Sequence, residues 1–103
     1  MQPQSKTESF DSAGKFVMKN PDCVLVHGLV SGLDLIEMPY AWVRKGGKVY
    51  DVEHDKWYAS EEWNARTVEK NSYVYEEVLR LVDSTSHLGP WTREEFESAK
   101  SQK

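Results

Sequence analysis

The chain has 103 residues, which is enough for one domain with one hydrophobic core. Hydrophobic residues make up 39% of the sequence and charged residues 29%, so the composition excludes a disordered chain. The net charge of −4 argues against nucleic acid as a partner, and the single cysteine, Cys23, excludes an internal disulfide framework. The apolar runs are too short to cross a membrane and the polar N-terminus resembles no secretory signal, so we expect a protein of the reducing cytoplasm.

The N-terminal part of the chain is predicted to be a tail that precedes a single domain. Residues 1–12 are mostly polar and show no periodicity, which is typical of a flexible segment, and the domain is expected to span residues 13–100. Its first clear element is the run CVLVHGLVS at residues 23–31. Because nearly every position in this run is apolar or β-branched, it predicts a strand that is buried on both faces.

A β-hairpin is predicted around the dipeptide Gly46-Gly47. Its strands are expected over residues 39–45 and 48–53, because both runs are rich in β-prone residues and Gly-Gly closes a two-residue turn. Side chains alternate between the two faces of a strand, and the turn fixes which residues lie opposite each other. The pattern therefore places three side chains of interest on one face of the hairpin: Tyr40, Trp42 and Asp51.

Helices are predicted in the C-terminal half. A short one is expected around Trp63, and a longer one over residues 72–83, where apolar residues recur at helical spacing. Thr92 and Glu95 match the capping-box pattern T-x-x-E, which predicts a final helix that ends at about residue 100. The predicted fold class is therefore α+β, with a small three-stranded antiparallel sheet and C-terminal helices packed on it.

Four short motifs follow one another along most of the chain: Val26-His27-Gly28, Tyr40-Ala41-Trp42-Val43, Val49-Tyr50-Asp51 and His87-Leu88-Gly89-Pro90-Trp91. Their order and spacing resemble a group of small proteins encoded by bacteriophages and prophages, mostly of unassigned function. Members of that group share a Val-His-Gly strand, a His-Ala-Trp-Val hairpin that ends in an acid, and a Gly-Pro-Trp motif after a helix. The resemblance implies a small protein that acts in the cytoplasm of a bacterial host.

The hairpin is also similar to the segment that carries the histidine and aspartate of transglutaminase-like and papain-like folds. In those folds the two residues lie diagonally on one face of a sheet, and the acid orients the imidazole beside a cysteine. Position 40 of this chain holds a tyrosine where such an enzyme has its histidine. Because a phenol with an ordinary pKa of about 10 does not readily take a thiol proton at neutral pH, this departure favours a noncatalytic protein.

A cysteine hydrolase or acyltransferase that uses Cys23 and Asp51 is the enzymatic alternative. Active cysteines of this class lie at a helix N-terminus, where the dipole lowers the thiol pKa, whereas Cys23 opens a predicted strand. His27 is the remaining candidate for a base, but it lies about 13 Å from Cys23 along an extended strand. Packing in the core is therefore the simpler interpretation of both residues.

Four residues are candidates for a binding surface. Tyr40, Trp42 and Asp51 would line a shallow groove on the hairpin face, in which Asp51 serves as a polar anchor. The other interpretation of Trp42 is core packing, which is the commoner role of a strand tryptophan. Trp91 follows a Gly-Pro turn and is expected to pack just before the final helix, with a surface role as the second interpretation.

No metal or cofactor site is predicted. The three histidines lack the spacing of a metal motif, and no glycine-rich phosphate loop is present. Together with the resemblance, the patterns favour a noncatalytic accessory protein of a phage or mobile element that binds a host or phage macromolecule. A protein is the expected partner, since the acidic surface of this chain would be complementary to a basic surface on another protein. Two alternatives stay open: the cysteine enzyme, and a structural domain that caps or joins a larger assembly.

Overall fold

The computed structural model describes residues 8–31 and 37–101. Five strands form one antiparallel sheet: β1 (Val24–Ser31), β2 (Glu37–Lys45), β3 (Lys48–Asp51), β4 (Lys56–Ala59) and β5 (Thr67–Val74). Their spatial order is β4-β3-β2-β1-β5, so the sheet is open and has β4 and β5 as its edges. With the helices described below, the fold belongs to the predicted α+β class.

The predicted count of three strands is wrong, because two edge strands extend the sheet. β4 has only four residues, three of them exposed, and β5 buries only Tyr73 among its eight residues. Neither segment therefore shows the alternation of apolar and polar residues by which a half-buried strand is predicted from sequence. Their extended conformation depends on pairing with β3 and β1, which are contacts between distant parts of the chain.

The predicted hairpin is confirmed, although its second strand, expected over residues 48–53, ends at Asp51, where the chain enters a turn. Lys45 pairs with Lys48 and Val43 with Tyr50, which leaves Gly46 and Gly47 as a two-residue turn. Gly46 adopts a φ of 60°, a left-handed backbone conformation that glycine reaches at little cost. This register fixes the positions of all the side chains on the two strands.

Four helices flank the sheet: α1 (Glu8–Lys19), α2 (Ser60–Asn64), α3 (Tyr75–Thr85) and α4 (Arg93–Ser101). The helix predicted over residues 72–83 is α3, but it begins later because residues 72–74 pair with β1. The capping box is confirmed at α4. The backbone N–H of Glu95 donates to the Thr92 hydroxyl, and the backbone N–H of Thr92 donates to the Glu95 carboxylate.

The predicted N-terminal tail needs a correction. Residues 1–7 lie outside the described residues, but α1 begins at Glu8, so the second part of the predicted tail is helical. Phe10, Ala13, Gly14 and Val17 are buried and follow the i, i+3, i+4, i+7 spacing of a helix face. The periodicity was obscured because the apolar face includes one alanine and one glycine. α1 therefore belongs to the domain.

The two faces of the sheet carry separate apolar clusters. Leu25 and Val43 point into the larger cluster, between the sheet and the layer of α1, α3 and α4. Their chain neighbours Val26 and Trp42 point into the smaller cluster on the other face, which only the short helix α2 covers, through Trp63. That face is left partly open. No helix in the described part of the chain is long and apolar enough to cross a membrane.

Candidate functional site

A cleft of about 430 Å³ opens on the face of the sheet that α2 only partly covers. Its walls come from the ends of β1 and β2, from β3 and β4, and from α2 and the residues that follow it. Met38, Tyr40 and Tyr58 supply apolar and aromatic surface. The cleft also contains one acid, one histidine and two cations: Asp51, His54, Lys56 and Arg66. Apolar walls with a few polar groups are typical of a binding pocket.

Tyr40, Asp51 and His54 form a hydrogen-bonded group in the wall of this cleft. The Tyr40 hydroxyl donates to Oδ1 of Asp51 over 2.7 Å. This contact agrees with the prediction that the two side chains lie on one face of the hairpin. His54 Nδ1 lies 2.9 Å from Oδ2 of Asp51 and 2.9 Å from the Tyr40 oxygen. Because an ionised carboxylate only accepts hydrogen bonds, Nδ1 of His54 carries a hydrogen and donates it to Asp51. The carboxylate is thus held from two sides.

The protonation of Tyr40 follows from this environment. Burial, and then the hydrogen bond to Asp51, raise the pKa of the Tyr40 phenol well above its usual value of 10. A buried phenol beside a carboxylate keeps its proton because ionisation would place two negative charges together. Tyr40 is therefore a neutral donor that positions Asp51, and it does not replace the base that a cysteine enzyme needs.

His54 is the member of this group that the sequence did not predict as a site residue. It follows β3 in a turn, and its side chain is 55% exposed while that of Asp51 is 6% exposed. The two residues are three positions apart, and Asp55 next to them has a φ of 52°. The only sequence signal is an Asp-x-x-His spacing at the end of a strand, which is too common to indicate a site on its own.

Cys23 and Asp51 lie on opposite faces of the sheet. Cys23 belongs to the helix-covered cluster and is 2% exposed, with its Sγ donating to Oδ1 of Asp22 over 3.7 Å. Burial, and then the charge of Asp22, raise the pKa of the Cys23 thiol. Asp51 lines the cleft on the other side. The geometry therefore gives the Cys23–Asp51 pairing of the enzymatic alternative no support.

His27, the other catalytic candidate, is packed in the helix-covered core. Its ring lies 4.6 Å from the ring of Phe10, 5.0 Å from Tyr73 and 5.2 Å from Trp91, measured between ring centroids. Burial lowers the pKa of His27 to about 4, so it is neutral at physiological pH. It lies away from the cleft and on the face opposite to Asp51.

The two tryptophans predicted as binding residues differ in position. Trp42 is 1% exposed and packs edge to face on Trp63, so it lies in the core under the cleft and forms no part of its surface. Trp91 is packed on the other face, where its Nε1 donates to the Thr85 hydroxyl and the His87 carbonyl. It also contributes to a separate groove of about 420 Å³ beside Tyr73. Of the four predicted binding residues, Tyr40 and Asp51 line the cleft.

The cleft contains hydrogen-bond donors and cations but no gathered metal ligands. Within residues 8–31 and 37–101, no group of three or more His, Cys, Asp or Glu side chains could hold a metal ion. What the arrangement can do chemically is bind a ligand between aromatic walls and charged groups. Comparisons of the chain with protein-family models, with curated proteins and with solved structures found no match.

Proposed function

We propose that the protein is a noncatalytic accessory protein of a phage or mobile element, which acts in the cytoplasm of a bacterial host and binds a host or phage protein through the cleft. The phage origin rests on the sequence motifs described above. The observation that carries the binding role is the hydrogen-bonded group of Tyr40, Asp51 and His54. The Tyr40 side chain positions the Asp51 carboxylate in the wall of an open cleft. A cysteine enzyme would need a base at position 40.

The surroundings of this group favour recognition of another molecule. Met38 is 48% exposed at the cleft and gives it an apolar surface open to solvent. Tyr58 adds aromatic surface, which contributes strongly to protein interfaces. The single thiol of the chain, on Cys23, is buried on the opposite face, so no nucleophilic cysteine reaches the cleft.

Affinity capture with matched variants tests this proposal. The wild-type protein, Met38→Glu and Leu79→Glu are each used to capture proteins from a lysate of bacteria that carry the phage or element. Leu79 is an exposed apolar residue of α3, outside the cleft, so Leu79→Glu introduces the same charge at a different surface. We expect one protein to be enriched by the wild type and by Leu79→Glu, and to be lost with Met38→Glu.

Two results would count against the proposal. Equal enrichment by Met38→Glu would mean that the partner binds to another surface. If the wild type enriches no protein above background, the accessory role loses its main support.

A further inference from the structure

We infer that the cleft receives the C-terminal carboxylate of the partner protein, together with the apolar side chain of its last residue. Lys56 and Arg66, two cations that line the cleft, are the groups that bind the carboxylate. The inference rests on the proposed function, because it takes the cleft as the binding surface and adds the chemistry of what enters it.

The cleft contains two cations. Lys56 and Arg66 both line the cleft, and neither has an ion-pair partner among the described residues. Arg44 offers a contrast, since it is paired with Glu69. The acid of the cleft, Asp51, is already bound by Tyr40 and His54. In a chain with a net charge of −4, two cleft cations that form no ion pair with a described residue favour an anionic ligand.

Arg66 lies against two aromatic rings. Its guanidinium carbon lies 4.8 Å from the centre of the Tyr58 ring and 5.0 Å from that of Trp63. Contacts between a guanidinium and aromatic faces restrict the side chain while its N–H groups stay available at the edge of the plane. A guanidinium that is already oriented can form two parallel hydrogen bonds to a carboxylate with a smaller loss of entropy.

The Trp63 side chain lines the cleft, is 4% exposed, and has a buried Nε1 with no hydrogen-bond partner among residues 8–31 and 37–101. An indole N–H only donates, and a buried donor without an acceptor costs about 1–3 kcal/mol. The two cations give the cleft a surplus of charged donors, and the Trp63 indole in its wall is a nearby reporter of what binds. A ligand that brings acceptor oxygens supplies what the cations lack.

A carboxylate suits the site better than a phosphate or a nucleic acid. A nucleic-acid backbone is bound by many cations, whereas this cleft has two and also contains the carboxylate of Asp51. That acid would repel a doubly charged phosphate more strongly than a singly charged carboxylate. Met38 and Tyr58 supply a surface for the apolar residue beside the carboxylate.

The test uses small probes and the indole N–H resonance of Trp63, assigned with Trp63→Phe. N-acetyl-phenylalanine carries the carboxylate and an apolar side chain, and its amide is the matched neutral probe. Adenosine monophosphate is the phosphate probe. We expect saturable shifts of the Trp63 resonance with the acid and none with the amide. Arg66→Gln should weaken binding of the acid about tenfold, since a hydrogen bond to a charged group is lost. Arg44→Gln, outside the cleft, should leave it unchanged.

The outcomes separate this inference from the proposed function. Equal binding of the acid and the amide would overturn the carboxylate preference. Tighter binding of adenosine monophosphate than of the acid would overturn it in favour of a phosphate. If no probe binds but Met38→Glu still abolishes partner capture, the inference fails and the proposed function stands. If no probe binds and Met38→Glu has no effect on capture, both fail.

Discussion

The hydroxyl of Tyr40 donates a hydrogen bond to Oδ1 of Asp51 over 2.7 Å, and both residues are buried. The two side chains lie on neighbouring strands of the hairpin, at the edge of the cleft. In the resemblance proposed from the sequence motifs, a histidine stands at the first position and an acid at the second. Here the tyrosine turns the same pair into a neutral donor and a fixed acceptor.

Tyr40→Phe tests whether this bond stabilises the fold. Removal of the hydroxyl leaves the buried carboxylate of Asp51 with one donor fewer, so the free energy of unfolding should fall by about 1.5–3 kcal/mol. Urea denaturation of wild type and variant measures the difference. Tyr50→Phe is the matched control, because the Tyr50 hydroxyl donates to Asp55 at an exposed position. Its loss should be clearly smaller, and equal losses for the two variants would contradict the role given to Tyr40.

Trp42→Ala tests whether the face with the cleft has a true core. Trp42 is 1% exposed and packs on Trp63, so the substitution should lower the free energy of unfolding by roughly 3–5 kcal/mol. Trp57→Ala is the comparison, since Trp57 is 50% exposed and contacts Tyr50 through one stacked pair. Its loss should be about 1 kcal/mol. A loss below about 1 kcal/mol for Trp42→Ala would place that side chain at the surface.

The hairpin could be predicted from the sequence because local rules determine it. The Gly46-Gly47 turn sets the register, and the alternation of side chains along a strand then places Tyr40 and Asp51 on one face. β5 could not be predicted in the same way. Seven of its eight residues are not buried, so its sequence shows no apolar face by which a strand could be predicted. Its extended conformation is set by pairing with β1.

The rest of the cleft depends on contacts that no local pattern shows. His54 lies in a turn, and its orientation is set by the acid three residues earlier. Arg66 follows a helix of five residues and acquires its position from the rings of Tyr58 and Trp63. Charge and spacing in the sequence do not indicate that residues from β3, β4 and α2 lie close together. Tertiary packing creates it.

Cys23 should be unreactive in the folded protein. Its thiol is buried and its pKa is raised by burial and by Asp22, so little thiolate is present at neutral pH. We expect iodoacetamide to alkylate Cys23 at least about tenfold more slowly than free cysteine at pH 7.5. In urea the rate should rise to that of free cysteine, which shows that the fold protects the thiol. If Cys23 of the native protein were alkylated faster than free cysteine, it would be a reactive thiol, and the enzymatic alternative would be supported again.

The stability of the protein should depend on pH through His27. Its pKa is about 4 in the folded protein because of burial, against 6.5 for an ordinary histidine. Below pH 6.5 the unfolded chain therefore binds a proton that the folded protein does not, and stability falls as the pH decreases from 6.5 to 4. The shift of the pKa corresponds to a loss of roughly 3 kcal/mol over this window.

His27→Phe removes the titrating group and keeps an aromatic ring among Phe10, Tyr73 and Trp91. The free energy of unfolding, measured by urea denaturation at several pH values, should fall less steeply in this variant between pH 6.5 and 4. The difference between the two curves isolates His27, because all the other titratable groups are common to both proteins. NMR titration of the wild type gives an independent reading, in which the His27 ring resonances should not move above pH 5. Parallel stability curves, or a ring that titrates near pH 6.5, would mean that His27 is open to water and that the packing described for the helix-covered core is wrong.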